Sequence, residues 1–291
     1  METFKKRSIE VLFTLLSGTG SARPKQYSFA GLRISARIQY MPGAYSVADI
    51  QVYGLSQDFM RQLLCFNGYA WDKGATVDNR IELRYIDETN VTVFEGGIID
   101  AIVDYNTAPE VPLCIHASAT SVSQLKTPPA LSFKGSVAVE TIIRTIVSKY
   151  IPGQTVDNHG VTAVLKDESV NGSALDMITQ VCEHANIRFW QQNNTVIIAP
   201  KNGGRIDPDP IELSMENGLV GWPVMTNKGV MAQAIFSPEY VAMRTVRLAC
   251  PALFDGKRSF FIEGITHEVD SEIPDGKWFS QLSLALQASN S

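Results

Sequence analysis

The sequence predicts a mainly β protein with an α+β insert, and three observations point there. Apolar and polar residues alternate, the period of a half-buried strand, in runs on both sides of the middle of the chain. The two sustained patterns at helical spacing both fall between Ser136 and Ala185. A third signal is a repeat: Phe94-Glu95-Gly96-Gly97-Ile98 continuing to Ile102, and Phe261-Ile262-Glu263-Gly264-Ile265 continuing to Val269, both read Phe-x-x-Gly-Ile-x-x-x-Ile/Val. Each copy suggests one long strand with a bulge or a close backbone approach at its middle. Duplication of a β domain accounts for the repeat, and so does coincidence, because Gly-Ile pairs are common in β-rich sequence. Under duplication, three copies of the chain suffice for a ring of six barrels.

The first region runs to residue 126. Its strands are expected at Ile9 to Leu16, Leu32 to Tyr40, Ala48 to Tyr53, Ile81 to Tyr85, Val91 to Val103 and Val111 to Ala117, with breaks at Pro42-Gly43 and Asp87 to Asn90. Ser56 caps a short helix, Gln57 to Leu64, that turns Met60, Leu63 and Leu64 to one side. Strands at this spacing suit a small barrel or a sandwich, and closure removes exposed edges. Gly18 to Lys25 lacks the Gly-Lys-Ser/Thr of a phosphate loop and is expected to be a hairpin loop.

The proline pair after Thr127 marks a boundary, and residues 127–204 form the α+β insert. Ser136 is the expected cap of a helix that places Val139, Ile142, Ile143, Ile146, Val147 and Tyr150 on one face, ended by Pro152-Gly153. Val161 to Lys166 reads as a strand. Ser173 and Asp176 form a capping box for a second helix that packs Leu175, Ile178, Cys182 and Ala185 inward. Ile187 to Trp190 and Thr195 to Ile198 make a hairpin with Asn193-Asn194 at its tip.

A linker from Asn202 to Pro210, rich in glycine and proline, leads into the last β region, residues 205–291. Strands are expected at Ile211 to Met215, Val230 to Phe236, Thr245 to Ala249, Ser259 to Val269 and Trp278 to Leu286. The last two are joined through Ile273-Pro274-Asp275-Gly276, where proline presets φ and glycine accepts the reversal.

Composition narrows the function. The 291 residues are enough for about two or three domains, each with its own core. Only 19% of residues are charged, below the roughly 25% of an average domain, so oligomer contacts are expected to cover part of the surface. The net charge of −5 comes without any basic tract, which argues against sequence-specific nucleic-acid binding and suits a channel that DNA passes without sticking. Cys65, Cys114, Cys182 and Cys250 are scattered among apolar neighbours and read as buried free thiols. No signal peptide or membrane span is visible, so the chain is expected to fold in a reducing cytosol.

Several residues invite a chemical reading that their spacing does not sustain. Cys182 and His184 stand two apart on a helix and face different ways, so they make no metal pair. His267 with Asp270, Glu263 and Glu268 resembles an acid and base set, yet neighbours on a strand point to opposite faces, and solvated strand polars are the expected reading. His116 and His159 have no partner suggested by spacing. Trp71, Trp190, Trp222 and Trp278 suit either a carbohydrate or partner surface, or core and interface anchoring.

Asn217 to Pro223, Gly229-Val230-Met231, Phe236-Ser237-Pro238 and Gly264 to Asp270 before Trp278 together resemble the C-terminal part of phage tail baseplate hub proteins. The first region is similar too, through Ala48 to Ser56 and Val93 to Ile98; Gly96-Gly97 departs from the single glycine of the family. The resemblance covers about residues 30 to 287. It implies two tail-tube-like β-barrel domains, residues 1–126 and 205–291, flanking the α+β domain. It further implies a structural, non-enzymatic protein with no cofactor, metal or catalytic residue. The expected assembly is a homotrimer in the virion tail baseplate, put together in the bacterial host cytoplasm without stable membrane insertion. Its partners would be the hexameric tail tube protein, a threefold spike or tip protein, the tape measure protein and other baseplate proteins, with DNA as passing cargo only. The alternatives are a peptidoglycan-degrading tail-tip enzyme, which needs two carboxylates about a sugar cleft, and the hub of a tailocin or secretion-type contractile injection machine.

Overall fold

The computed structural model describes residues 8–16, 24–71, 78–87, 90–120, 128–201 and 209–286. The expected loop at 18–23, residues 88–89 of the first-region turn, Thr127 and linker residues 202–208 lie outside the described residues. The chain is mostly β with an α+β insert.

From the N-terminus, β1 (Ile9–Leu15), β2 (Lys25–Phe29), β3 (Ile34–Tyr40) and β4 (Val47–Tyr53) precede helix α1 (Gln57–Leu63). The short strands β5 (Cys65–Phe66) and β6 (Tyr69–Ala70) then lead to β7 (Arg80–Tyr85), β8 (Val91–Val103) and β9 (Pro112–Ser118). The insert holds β10 (Leu131–Ser132), β11 (Ser136–Ala138), α2 (Val139–Tyr150), β12 (Thr155–Asn158), β13 (Val164–Lys166) and β14 (Ser169–Val170). It continues with α3 (Ala174–His184), β15 (Ile187–Gln192) and β16 (Thr195–Pro200). The last strands are β17 (Ile211–Leu213), β18 (Leu219–Thr226), β19 (Gly229–Ile235), β20 (Thr245–Ala249), β21 (Lys257–Ser271) and β22 (Trp278–Leu286).

Two compact units result. The first takes the described residues within Met1–Ile38, Val47–Ser123 and His267–Trp278; the second takes those within Gln39–Ser46, Gln124–Thr266 and Phe279–Ser291.

In the first unit the strand order β4-β9-β8-β7-β1-β2 is antiparallel throughout. Ile9, Val11 and Phe13 of β1 and Ala48, Ile50 and Val52 of β4 are buried at every second position, so alternation in the sequence becomes one covered face. Ser56 caps α1 by accepting from the Phe59 amide at 3.3 Å. The helix ends at Leu63, and Phe59 rather than Leu64 joins Met60 and Leu63 in the core. The reason is aromatic packing: the Phe59 ring meets Phe13, Tyr27 and Phe29 at centroid distances of 5.4, 5.0 and 5.1 Å.

The long strand β8 carries two bulges. Against β7 the register slips between Leu83 and Arg84, leaving Val93 extra, and both Val93 and Phe94 are buried. Against β9 it slips between Ile98 and Asp100, leaving Ile99 extra. The freed Ile99 carbonyl accepts the Gly68 amide at 2.7 Å, and Asp100 accepts the Asn67 amide at 2.7 Å. This second bulge therefore fixes the β5–β6 hairpin, whose Asn67-Gly68 turn has φ of 48° and 72°. Gly96, not the motif's Gly97, makes a close approach: a Cβ there would lie 2.3 Å from the Ser118 carbonyl oxygen. Because the obstacle is backbone, Gly96→Ala is expected to destabilise the protein by about 2–3 kcal/mol, read as a lowered urea midpoint. An unchanged midpoint would show that β9 yields.

In the second unit the strand order is β18-β19-β22-β21, with β20 antiparallel to β21 and β17 parallel to β20. The insert folds α2 and α3 around the three-stranded sheet β12-β16-β15, over a core that includes Ile142, Ile146, Val181 and Phe189. The capping box is present, with Asp176 accepting from the Ser173 amide and its own amide donating to Ser173 Oγ. The buried face of α3 is Ala174, Met177, Ile178, Val181 and Cys182; Leu175 and Ala185 are only half-buried. Ser136 does not cap α2. It lies in β11, and the Val139 amide donates instead to the Ala163 carbonyl at 3.0 Å, which pairing of β11 with β13 brings close. The hairpin of β15 and β16 closes through Asn193 at φ 50°.

The repeated pattern occupies equivalent surroundings. Phe94 and Ile98 in β8, and Phe261 and Ile265 in β21, are all at least 98% covered. In the turn after β21 the positive φ falls on Asp275 at 54°, not on Gly276. Gly276 is needed for space, since a Cβ would come within 2.6 Å of Asp270 Cβ.

Candidate interaction surfaces

The polar residues that resemble catalytic groups are separated from one another by the fold. Asp49 and His116 face each other across β4 and β9, with Nδ1 2.7 Å from the carboxylate. His159 Nε2 stands 3.0 Å from Asp157, and His184 Nδ1 2.7 Å from Glu168 on the chain before α3. Sequence spacing missed these carboxylate partners because two of them come from distant segments. Cys182 is in the core while His184 is exposed, as helical geometry requires. Burial pushes the Cys65 thiol up to about 11 and the Cys182 thiol up to about 12, which holds both protonated at neutral pH. Cys114, expected to be buried, is only half-buried. Among the described residues no three His, Cys, Asp or Glu side chains gather as metal ligands.

His267 corrects an expectation. It is 2% exposed rather than solvated, because β21 is covered on both faces here: Thr266 is buried as well. Desolvation lowers its pKa to about 3, so the ring is neutral in the native protein. Glu268 points the other way and pairs with Lys277 at 3.2 Å. Asp270 accepts from Ser35 Oγ at 2.6 Å and from the Lys277 amide at 2.7 Å, a role in closing the hairpin. Glu263 pairs with Arg188.

The four tryptophans divide evenly. Trp190 and Trp278 are in the core, whereas Trp71 is 80% and Trp222 66% exposed. Each exposed ring belongs to an uncharged surface. In the first unit the β5–β6 hairpin and the end of β8 form an open cavity of about 360 Å³, lined by Phe66, Trp71, Ala101, Ile102 and Tyr105 among others. In the second unit β18 is the last strand of its sheet, and Gly221 to Pro223 loop out between the Val220–Gln233 and Val224–Met231 pairs. Gly221 supplies the positive φ, 67°, that this bulge needs. Trp222, Val224, Met225, Met231 and Ile235 are exposed there, and β18, β19 and β22 contain no charged residue.

By contrast, β7 and β8 carry paired charges. Arg84 grips Glu82 through two contacts of 2.7 and 2.9 Å, and Arg80 meets Glu95 at 2.9 Å. The chain thus has charge-compensated strands in one unit and uncharged, apolar strands in the other, the composition expected where protein surfaces are covered by assembly.

The same architecture occurs in solved tail proteins. A tail protein from Neisseria meningitidis MC58 superposes with a TM-score of 0.61 at 9% identity, covering 97% of both chains. The 43 kDa tail protein of prophage MuSo2 from Shewanella oneidensis gives 0.60 at 8% identity, covering 96% of this chain and 97% of that one. The E. coli c3393 protein, a component of the type VI secretion system, gives 0.59 at 12% identity over 89% of this chain and 74% of its own. No curated protein matches in sequence. The family described as Baseplate hub gp41 matches residues 8–275, nearly the full length, and the chain belongs to that family.

Proposed function

We propose that this baseplate hub acts as a homotrimeric symmetry adaptor, joining the hexameric tail tube to a threefold spike or tip around a central channel. The observation that carries the proposal is the family match over residues 8–275. The equivalent burial of Phe94 and Ile98 with Phe261 and Ile265 supports two related β regions in one chain. Three copies then offer six such regions to the tube, while their true axis matches the spike. In this reading residues 1–126 and 205–291 supply the tube-like barrels and residues 127–204 a separate α+β domain. The work of the protein is assembly rather than catalysis. Its chemistry is burial of apolar surface against copies of itself, the tube, the tip and other baseplate proteins, in the bacterial cytoplasm. The tape measure protein and DNA pass through the channel without stable binding.

A second reading, the hub of a secretion-type machine, is favoured only by the shared fold of the c3393 protein. A tape-measure gene beside this one separates the two. Light scattering tests the trimer: three chains of 32.0 kDa are expected to travel together, alone or with the tube protein bound. A particle containing a single chain under both conditions contradicts the proposal.

A further inference from the structure

The two uncharged surfaces complement each other as knob and socket. Trp222 is the knob. Its bulge lifts it from the edge strand β18, and Pro223 has no N–H to extend the ladder, so this edge favours recognition by side chains over addition of another strand. The socket is the 360 Å³ cavity held by the β5–β6 hairpin, a size in the range of pockets that bury small ligands, and an indole ring is smaller than those.

We infer that Trp222 of one copy seats in the socket bounded by Phe66, Trp71, Ile102 and Tyr105 of the next copy. The inference rests on the homotrimer proposed above and names a contact that holds it. Charge decides in favour of a second copy. Neither surface carries an ionised group, so drying the contact strands no charge, and the exposed aromatics supply the anchors that dominate interfaces. Knob and socket lie at different places on the same chain, which makes the contact heterologous. Such contacts propagate from copy to copy and close into a ring when the rotation permits.

Disulfide trapping tests this. In the double variant Trp222→Cys with Ile102→Cys, oxidation is expected to yield covalent dimers and trimers on a non-reducing gel. Mixing the two single variants should yield dimers only, and neither single variant alone should cross-link beyond the wild-type background from its four cysteines. Both positions are exposed, at 66% and 53%, so the substitutions leave the core intact. Trp222→Ala is expected to weaken self-association about thirtyfold, the loss typical of a central aromatic anchor. A wild-type trimer that gives no trapped species and keeps its affinity in Trp222→Ala overturns this contact while leaving the trimer standing. Cross-linking of Trp222→Cys with itself shows a twofold contact instead and also overturns it. A wild-type protein that never self-associates, even with the tube protein present, removes both the contact and the trimer.

Discussion

Trp190→Ala is expected to lower the unfolding free energy by about 4 kcal/mol, the middle of the range for emptying a large aromatic site. Trp190 has no exposed surface and packs in a cluster with Ile197, Ala199, Ala242 and Met243. Its Nε1–H donates to the Glu263 carbonyl at 2.7 Å, so the hairpin of the insert is tied to β21 through this one ring. Truncation removes the packing, leaves a cavity and strands a buried carbonyl, and the three losses act in the same direction. Trp190→Phe keeps most of the packing and loses the hydrogen bond, so a smaller cost of about 1–2 kcal/mol is expected. Urea denaturation followed by circular dichroism measures both. Equal costs for the two variants would mean that the hydrogen bond, not the packing, dominates.

A strong pH dependence is expected from His267. An unfolded histidine takes up a proton near pH 6.5, whereas burial lowers the native value to about 3. Between these limits the unfolded chain binds the extra proton. Stability is therefore complete above about pH 6.5, falls as the pH drops through the window, and levels off below about 3. The slope from this one group approaches about 1.4 kcal/mol per pH unit, which amounts to about 2 kcal/mol between pH 7 and pH 5. Comparing the change in stability over that interval in wild type and His267→Gln isolates the contribution, since the other titrating groups are common to both. Parallel pH curves for the two proteins would rule out a neutral buried ring.

These two residues show what could be read from sequence and what could not. The long elements were legible: Val91–Val103, Thr245–Ala249 and Trp278–Leu286 have the expected bounds, and α2 and α3 lie where helical spacing puts them. Strand β18 was missed because Gly221 and Pro223 look like punctuation, although they form a bulge within a paired strand. The β5–β6 hairpin carries the Asn67-Gly68 turn signal, but strands of two residues are too short to show alternation. Strand β2 was lost for another reason: its burial pattern is weak because it lies at the end of the sheet order.

The interaction surfaces were less legible than the fold. Four tryptophans look alike in sequence, and only packing separates the two in the core from the two in the open. His267 sits among Glu263, Glu268 and Asp270, which suggested solvent, while its own burial depends on cover from both sides of β21. Asp49 and His116 meet only because β4 pairs with β9. The repeated Phe-x-x-Gly-Ile pattern fared better, since its Phe and Ile positions depend on strand alternation alone. Its glycine did not: in the first copy the backbone demand falls one residue earlier, on Gly96.

Electron cryo-microscopy of assembled tails tests the adaptor most directly. The expected density shows three copies of this chain at the distal end of the tube, each presenting two β regions, so that six surround an open channel with true threefold symmetry below. Six copies, each presenting one β region to the tube, would contradict the account, as would an assembled tail in which the chain is absent from the tube axis.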